Sequence, residues 1–285
     1  MRTVSVSWEH SLETAAVLVA VGGAMALSKD KRVRALGAFA REVAVIGVLY
    51  ALWELAGRIA GFSNKDAYVR ARWIEHFEHD IFLPSERSVQ NLILSHPLIV
   101  QVANLYYAAM HFPMMFVFLI WLFWWHRDQY RPVRQVLGWT TLVCLIVQLV
   151  PVAPPRFLPG IVDTGKLYNQ SVYQHGLAVD QLSTMPSVHV AWACLVGYYT
   201  WKIGKGRWRY IGPLHMVLTI FFVVATGNHF WLDGIVAALI LCACAWSVFG
   251  VRTGWYAVLN SWRRRHERSI PLDDAEPVSA RADAH

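Results

Sequence analysis

Charge and cysteine are both scarce in this chain, and each scarcity narrows what it can be. Asp, Glu, Lys and Arg make up only 16% of its 285 residues, against 56% hydrophobic ones. Soluble globular domains average about 25% charged residues over the whole chain, so this composition argues against a soluble globular class. Four cysteines occur, Cys144, Cys194, Cys242 and Cys244, and all fall in apolar runs, where they read as small buried residues and not as disulfide partners. Cys242 and Cys244 are two apart on a presumed helix, point away from each other and would be poor metal ligands. The cluster His76, Glu78, His79 and Asp80 lacks the His-Glu-x-x-His spacing, and its alternation with apolar residues marks a solvated helix face. No metal and no cofactor are expected.

What the chain has instead is length of apolar run. Its 14 tryptophans crowd segments long enough to cross a bilayer, which takes about 20 residues per helix. Spans are predicted near 12–28, 41–61, 98–125, 133–152, 186–203, 209–228 and 229–250. The expected fold is all-α, a polytopic membrane bundle of about seven spans. It divides into an N-terminal span with a basic loop (1–40), a membrane domain (41–252) and a disordered tail (253–285). Between the second and third spans, Trp73, Ile74, Phe77 and Ile81 at helical spacing predict an interfacial amphipathic helix. Glu54 and Arg58, four apart in the second span, are expected to pair as a structural tie. His215 is also expected to be structural, and His111 is left without a role.

The basic residues orient the bundle. Clusters at Lys29–Arg34, Arg127–Arg134, Lys202–Arg209 and Arg263–Arg268 all fall on one side of a seven-span chain, and the positive-inside tendency makes that side cytoplasmic. The net charge of +7 is thereby explained without a nucleic-acid partner. Ala24-Met25-Ala26 resembles a leader cleavage site. Its flanks, acidic before and basic after, are the reverse of a secretory leader, so an uncleaved span is expected.

Two short patterns carry the chemistry. Pro186-Ser187-Val188-His189 and His229-Phe230-Trp231-Leu232-Asp233 each sit where a polar loop meets an apolar segment. From His189 to His229 the chain crosses inward and returns, so both imidazoles reach one face, here the non-cytoplasmic one. Arg156 in Pro154-Pro155-Arg156 ends the fourth span on that same face, and its paired donors match phosphate oxygens. Pro186 suits a first helical turn, with the amides at Ser187–His189 offered to an anion. Asp233, four residues after His229 on a helix, would hold one ring nitrogen and leave the other for in-line attack, favouring His229 as nucleophile and His189 as acid–base group. Taken singly, Pro-Ser-x-His is ordinary helix-start chemistry and Arg156 an interfacial anchor. Order, spacing and sidedness together point to catalysis on a phosphoryl group.

Pro-Pro-Arg, then Pro-Ser-Val-His, then Gly-Asn-His-Phe-Trp-Leu-Asp over roughly 50–250 resembles the type-2 phosphatidic acid phosphatase superfamily, and within it the branch of the inositol phosphorylceramide synthases. A His-Phe-Pro at His111 resembles the same branch. The resemblance implies a phosphohistidine on His229, assistance from Asp233, acid–base work by His189, phosphate binding by Arg156 and no metal. The chain departs from the family pattern at Leu149, where a lysine is usual, and at Phe222-Val223, where Ser-Arg is usual. Lys166, Asn228, Tyr168 or Asn169 would have to stand in. With less positive charge, a monoanionic phosphodiester suits the site better than a dianionic phosphate, which favours headgroup transfer. The expected partner is a membrane lipid phosphate or phospholipid, with a polyol acceptor. A polyprenyl or lipid phosphate phosphatase and a non-catalytic lipid transporter or scaffold are the alternatives.

Overall fold

The computed structural model describes residues 8–60, 66–171 and 181–267, and among these helix is the only regular structure; side chains are undescribed for part of the second helix and beyond 250. The helices run α1 (Trp8–Ala26), α2 (Lys31–Ala60), α3 (Ala67–Asp80), α4 (Glu86–Leu94), α5 (Pro97–Ala109), α6 (His111–Trp125), α7 (Arg127–Gln148), α8 (Thr164–Leu167), α9 (Val188–Ile203), α10 (Ile211–Ala225) and α11 (Trp231–Glu267). Extended pairing among the described residues is limited to a bridge between Val152 and Ser183. The chain divides into two units, residues 1–244 and 245–285, and what is described of the second is the continuation of α11. The helix thus runs past the domain boundary expected at 252; residues 268–285 and the Glu54–Arg58 pair lie outside the described residues and side chains.

Among the described residues, length and apolarity mark three segments as long enough to cross a membrane, Lys31–Leu52, Gly206–Ala225 and Trp231–Gly250. The pair α5 and α6, bent by 51° at Met110, passes the same test only when taken together, as a broken span or a re-entrant loop. The expectation of seven spans is therefore supported only in part. The helices α1, α7 and α9 occupy three of the expected positions without qualifying. Glu9, His10 and Glu13 interrupt the first turns of α1, Arg127, Asp128, Arg131 and Arg134 those of α7, and α9 has only 16 residues. Large side chains at helical spacing on α10, Ile211, Leu214 and Val217, are exposed, with Leu239 on α11. An outward apolar face of this kind suits lipid, because soluble monomers rarely carry such patches.

In the core, α9 packs on α10, and α7 lies against α2, α6 and α9. A stripe on α7 through Val133, Val136, Leu137, Thr140, Cys144 and Gln148 is buried, as an amphipathic helix requires. Glu42 of α2 receives both Tyr130 and Arg134 of α7, so one member of the expected basic loop is a helix–helix tie. Trp192 donates its indole N–H to Thr141 Oγ1 at 3.0 Å, joining α9 to α7. His215 is buried and bonded at Nδ1 to the Tyr106 hydroxyl at 2.5 Å. Cys242 is exposed, unlike the buried residue expected, because α11 turns that face outward.

The predicted amphipathic helix is α3, followed by a second helix, α4, that was not expected, and the faces of α3 differ from those expected. Ala67, Ala71, Ile74 and Glu78 are buried against Val152, Ala153, Leu158 and Phe230. Trp73 and Phe77 stack on each other outside, 5.4 Å between ring centres. The α3 helix packs on the loops of the protein and turns only its other apolar edge outward, and this draws Glu78 in from a face expected to be solvated. The loops after α7 are fastened to these helices. Arg70 Nε donates to Pro151 O at 2.7 Å, Ala153 N to Ala67 O at 3.2 Å and Arg87 Nη2 to Pro159 O at 2.9 Å. Gln90, almost fully buried, donates to Val162 O at 2.9 Å and Ala225 O at 3.3 Å and accepts from Val162 N at 2.8 Å. Replacing Gln90 by Leu strands these groups, each costing about 1–3 kcal/mol when buried unpaired. Thermal unfolding in detergent should show Gln90→Leu less stable by about 2–4 kcal/mol, and an unchanged midpoint would refute the role.

Candidate active site

Three loop-to-helix junctions meet at one place: the 3-10 turn Pro155–Phe157, the start of α9, and the turn between α10 and α11. The last of these depends on Gly227, whose φ of +68° is open to glycine and strained for other residues. Its carbonyl accepts the Arg156 amide at 2.9 Å, and a methyl group there would stand 3.2 Å from Arg156 Cβ. One backbone turn thus locks the arginine to the histidine loop. The guanidinium, 3% exposed, donates from Nη1 to Asn228 Oδ1 at 2.6 Å and lies 3.7 Å from Asp163 Oδ2 through Nε. Asn228 is itself held by Thr226 Oγ1 at 2.7 Å.

His229 does not lie on a helix, contrary to the expectation of a shared helix face. It precedes α11 by two residues, and Asp233 reaches back to it from the first turn. Asp233 Oδ2 lies 3.2 Å from His229 Nδ1 and accepts from the Phe230 amide at 2.9 Å. In the tautomer whose Nδ1–H donates to an ionised Asp233, Nε2 carries the lone pair. Among the described residues Nε2 is buried without a hydrogen bond of ordinary geometry, although the Thr184 backbone lies close enough to interact with the ring. His189 stands 5.5 Å from His229 between ring centres, and Arg156 is near enough for its charge to act on His229.

Ser187 and Pro186 differ from the sequence reading. The helix α9 begins at Val188, so Pro186 lies before the cap and not in the first turn. Ser187 is fully buried as the cap, its Oγ accepting from Val190 N at 3.4 Å and its amide donating to Asp233 O at 3.0 Å. Its hydroxyl oxygen caps α9 and its amide joins α9 to α11. The first turn retains the amides of Val188 and His189. Lys166 is not brought to the site. Its side chain is exposed on α8, where its amide is capped by Asp163 at 2.9 Å. Leu149 is exposed, and Phe222 and Val223 are core residues.

Residues passed over in the sequence complete the site. Tyr107 lies 4.8 Å from His189 and 6.3 Å from His229, and His111 lies 4.4 Å from His189, between ring centres. Asp163, Asn104 and Gln170 join Arg156, Asn228 and Tyr107 around a small polar pocket. On the other side of the histidines an apolar groove of about 740 Å³, counting its open mouth, is bounded by His111, Met115, Leu119, Leu137, Val188 and Trp192 with His189. A third, smaller cavity shares Tyr107 with the polar pocket and His111 and His189 with the groove. The spacing of Tyr107 and His111, four apart ahead of a Phe-Pro, was the signal available in the sequence.

Residues 72–247 match the family model described as the PAP2 superfamily. The chain belongs to the PAP2 superfamily. Comparison with curated proteins and with solved structures found no match. Membership places this PAP2 chain among lipid phosphatases and phosphotransferases in general, and with its apolar helices it identifies an integral membrane protein. The matched stretch contains Arg156, His189, His229 and Asp233. Gly227→Ala should lower stability by about 1–2 kcal/mol, the cost of an alanine in left-handed backbone, and should reduce turnover because Arg156 moves with the turn. Parental stability and turnover together would contradict the coupling.

Proposed function

We propose that this PAP2 protein is a metal-independent lipid phosphotransferase working through a phosphohistidine on His229, with headgroup transfer of the inositol phosphorylceramide synthase kind as its reaction. The observation that carries this reading is the His189–His229 pair, 5.5 Å apart, with Asp233 on one ring and Arg156 beside it, between a polar pocket and an apolar groove. That layout suits an amphipathic substrate. Its phosphate would rest against Arg156, Asn228 and the Val188 and His189 amides, and its tail along Met115, Leu119 and Trp192.

In the first step Nε2 of His229 attacks phosphorus, the bond to the leaving oxygen breaks, and His189 donates a proton to that oxygen. In the second, His189 accepts the proton of a polyol hydroxyl or of water, whose oxygen attacks phosphorus and releases His229. Asp163 beside Arg156 offsets part of the only arginine charge in the polar pocket among the described residues, which supports a monoanionic phosphodiester over a dianionic monoester. Under this reading α1, α7 and α9 also cross, giving seven spans and a site on the non-cytoplasmic face.

Purified protein given a phosphate-labelled phospholipid and a set of polyols should yield new phosphodiester in excess of free phosphate. Free phosphate alone would favour a phosphatase, and lipid movement between vesicles without turnover would favour a transporter. His229→Ala and His189→Ala should each lose at least about a hundredfold in turnover while eluting as folded protein. A chelator should leave the parental rate unchanged, and strict dependence on a divalent cation would overturn the mechanism.

A further inference from the structure

The helix that presents Asp233 starts without a cap of its own. First-turn amides need acceptors, which Ser, Thr, Asp or Asn at the preceding position usually supplies. Phe230, just before Trp231, has no acceptor in its side chain. Asp233 takes the Phe230 amide, which is one half of a capping box. The other half comes from a different element: Glu78 Oε1 of α3 accepts the Leu232 amide at 2.5 Å. Next to it the Trp231 indole donates to Pro84 O at 2.7 Å, so the α3–α4 turn grips the start of α11 twice.

Glu78 is not alone there. Glu86, the first residue of α4, is equally buried, and its carboxyl lies close enough to act on that of Glu78. Glu78 Oε2 and Glu86 Oε1 are buried with no donor among the described residues. Two ionised carboxylates buried side by side repel, and one proton between them removes that cost. The charged groups that act on Glu78 from packed elements are Glu86 on α4 and Asp233 on α11, both acidic.

We propose that Glu78 is a positioning residue for the reaction, sharing one proton with Glu86 so that it can cap α11 from outside and fix the Asp233–His229 pair. The proposal rests on the chemistry assigned above to His229 and Asp233. One negative charge shared by the pair complements a helix N-terminus. Two charges, with Asp233 close by, would repel and pull the cap away. Burial, followed by the contact with and charge of Glu86, holds the Glu78 carboxyl up at about 9 against an ordinary 4.5. Between those values the folded chain keeps a proton that the unfolded chain has lost. The contribution of this group to stability therefore declines as pH rises through that window and is level above it.

The test compares full-length Glu78→Gln and Glu78→Ala with the parent in detergent, by thermal midpoint from about pH 5 to about pH 9.5 and by turnover of phospholipid. Gln keeps the acceptor for Leu232 and supplies a permanent N–H to Glu86. Its turnover should stay within about threefold of parental, and its midpoint should fall less with pH. Ala removes the cap, and kcat should drop at least about tenfold with KM within about twofold. Parental kcat in Glu78→Ala, or an undiminished pH slope in Glu78→Gln, overturns the proposal. If Glu78→Ala does not fold, the Glu78→Gln slope and turnover decide. A parent with no turnover of any lipid phosphate sinks the functional reading instead, and the slope alone then decides whether the proton is shared.

Discussion

Irregular backbone buried beside an apolar bundle must find its hydrogen-bond partners inside the protein, because neither lipid nor packed side chains supply any. This constraint organises the molecule. The functional groups sit on loops between helices, and those loops are deep enough to need side chains as partners. Gln90 satisfies Val162 and Ala225, Asn104 satisfies Thr164, Gln148 satisfies Pro186 O, and Thr184 satisfies Val152 O. Each of these polar side chains is buried, and each bonds the backbone of another element. The loops are thereby held as firmly as the helices they join.

The site follows from that fastening. Arg156 and His229 come from segments about 70 residues apart in sequence, yet the Arg156 amide and the Gly227 carbonyl bond directly. Ser187 bonds Asp233 O and so ties the His189 helix to the His229 helix. Movement of any one junction would displace the others. Preorganisation of this kind is what phosphoryl chemistry requires, since it depends on positioning and on placed charge.

How much was legible in the sequence varied with the range of the interactions. Apolar composition is a property of whole segments, so the helical membrane class could be read directly. The motifs at Arg156, His189 and His229–Asp233 were visible because their spacing is local or is set by a helix crossing and returning. The number of crossings was not, since α7 and α9 are short or charged at one end and are defined by what they pack against. Lys166 looked like a replacement cation only until its helix was seen to point it outward. Ser187 looked like a phosphate donor, and the structure adds that it caps its own helix and bonds Asp233 O. Glu78 read as solvated because polar and apolar residues alternate around it; its environment is made by Leu232 and Glu86, contacts that leave no periodic trace. Asp163 escaped for the same reason, whereas His111 was noticed and left without a role because its neighbour His189 is distant in sequence.

The sequence by itself determined a helical, lipid-facing protein and picked out one arginine, two histidines and an aspartate as candidates for phosphoryl chemistry, because hydropathy and short-range spacing are written residue by residue. Only the tertiary structure decided which polar groups surround them: which nitrogen of His229 is committed to Asp233, which acid sits against Arg156, and which glutamate caps α11. Those choices depend on packing distant segments together, where burial turns each polar side chain into an obligatory partner for whichever backbone group it meets.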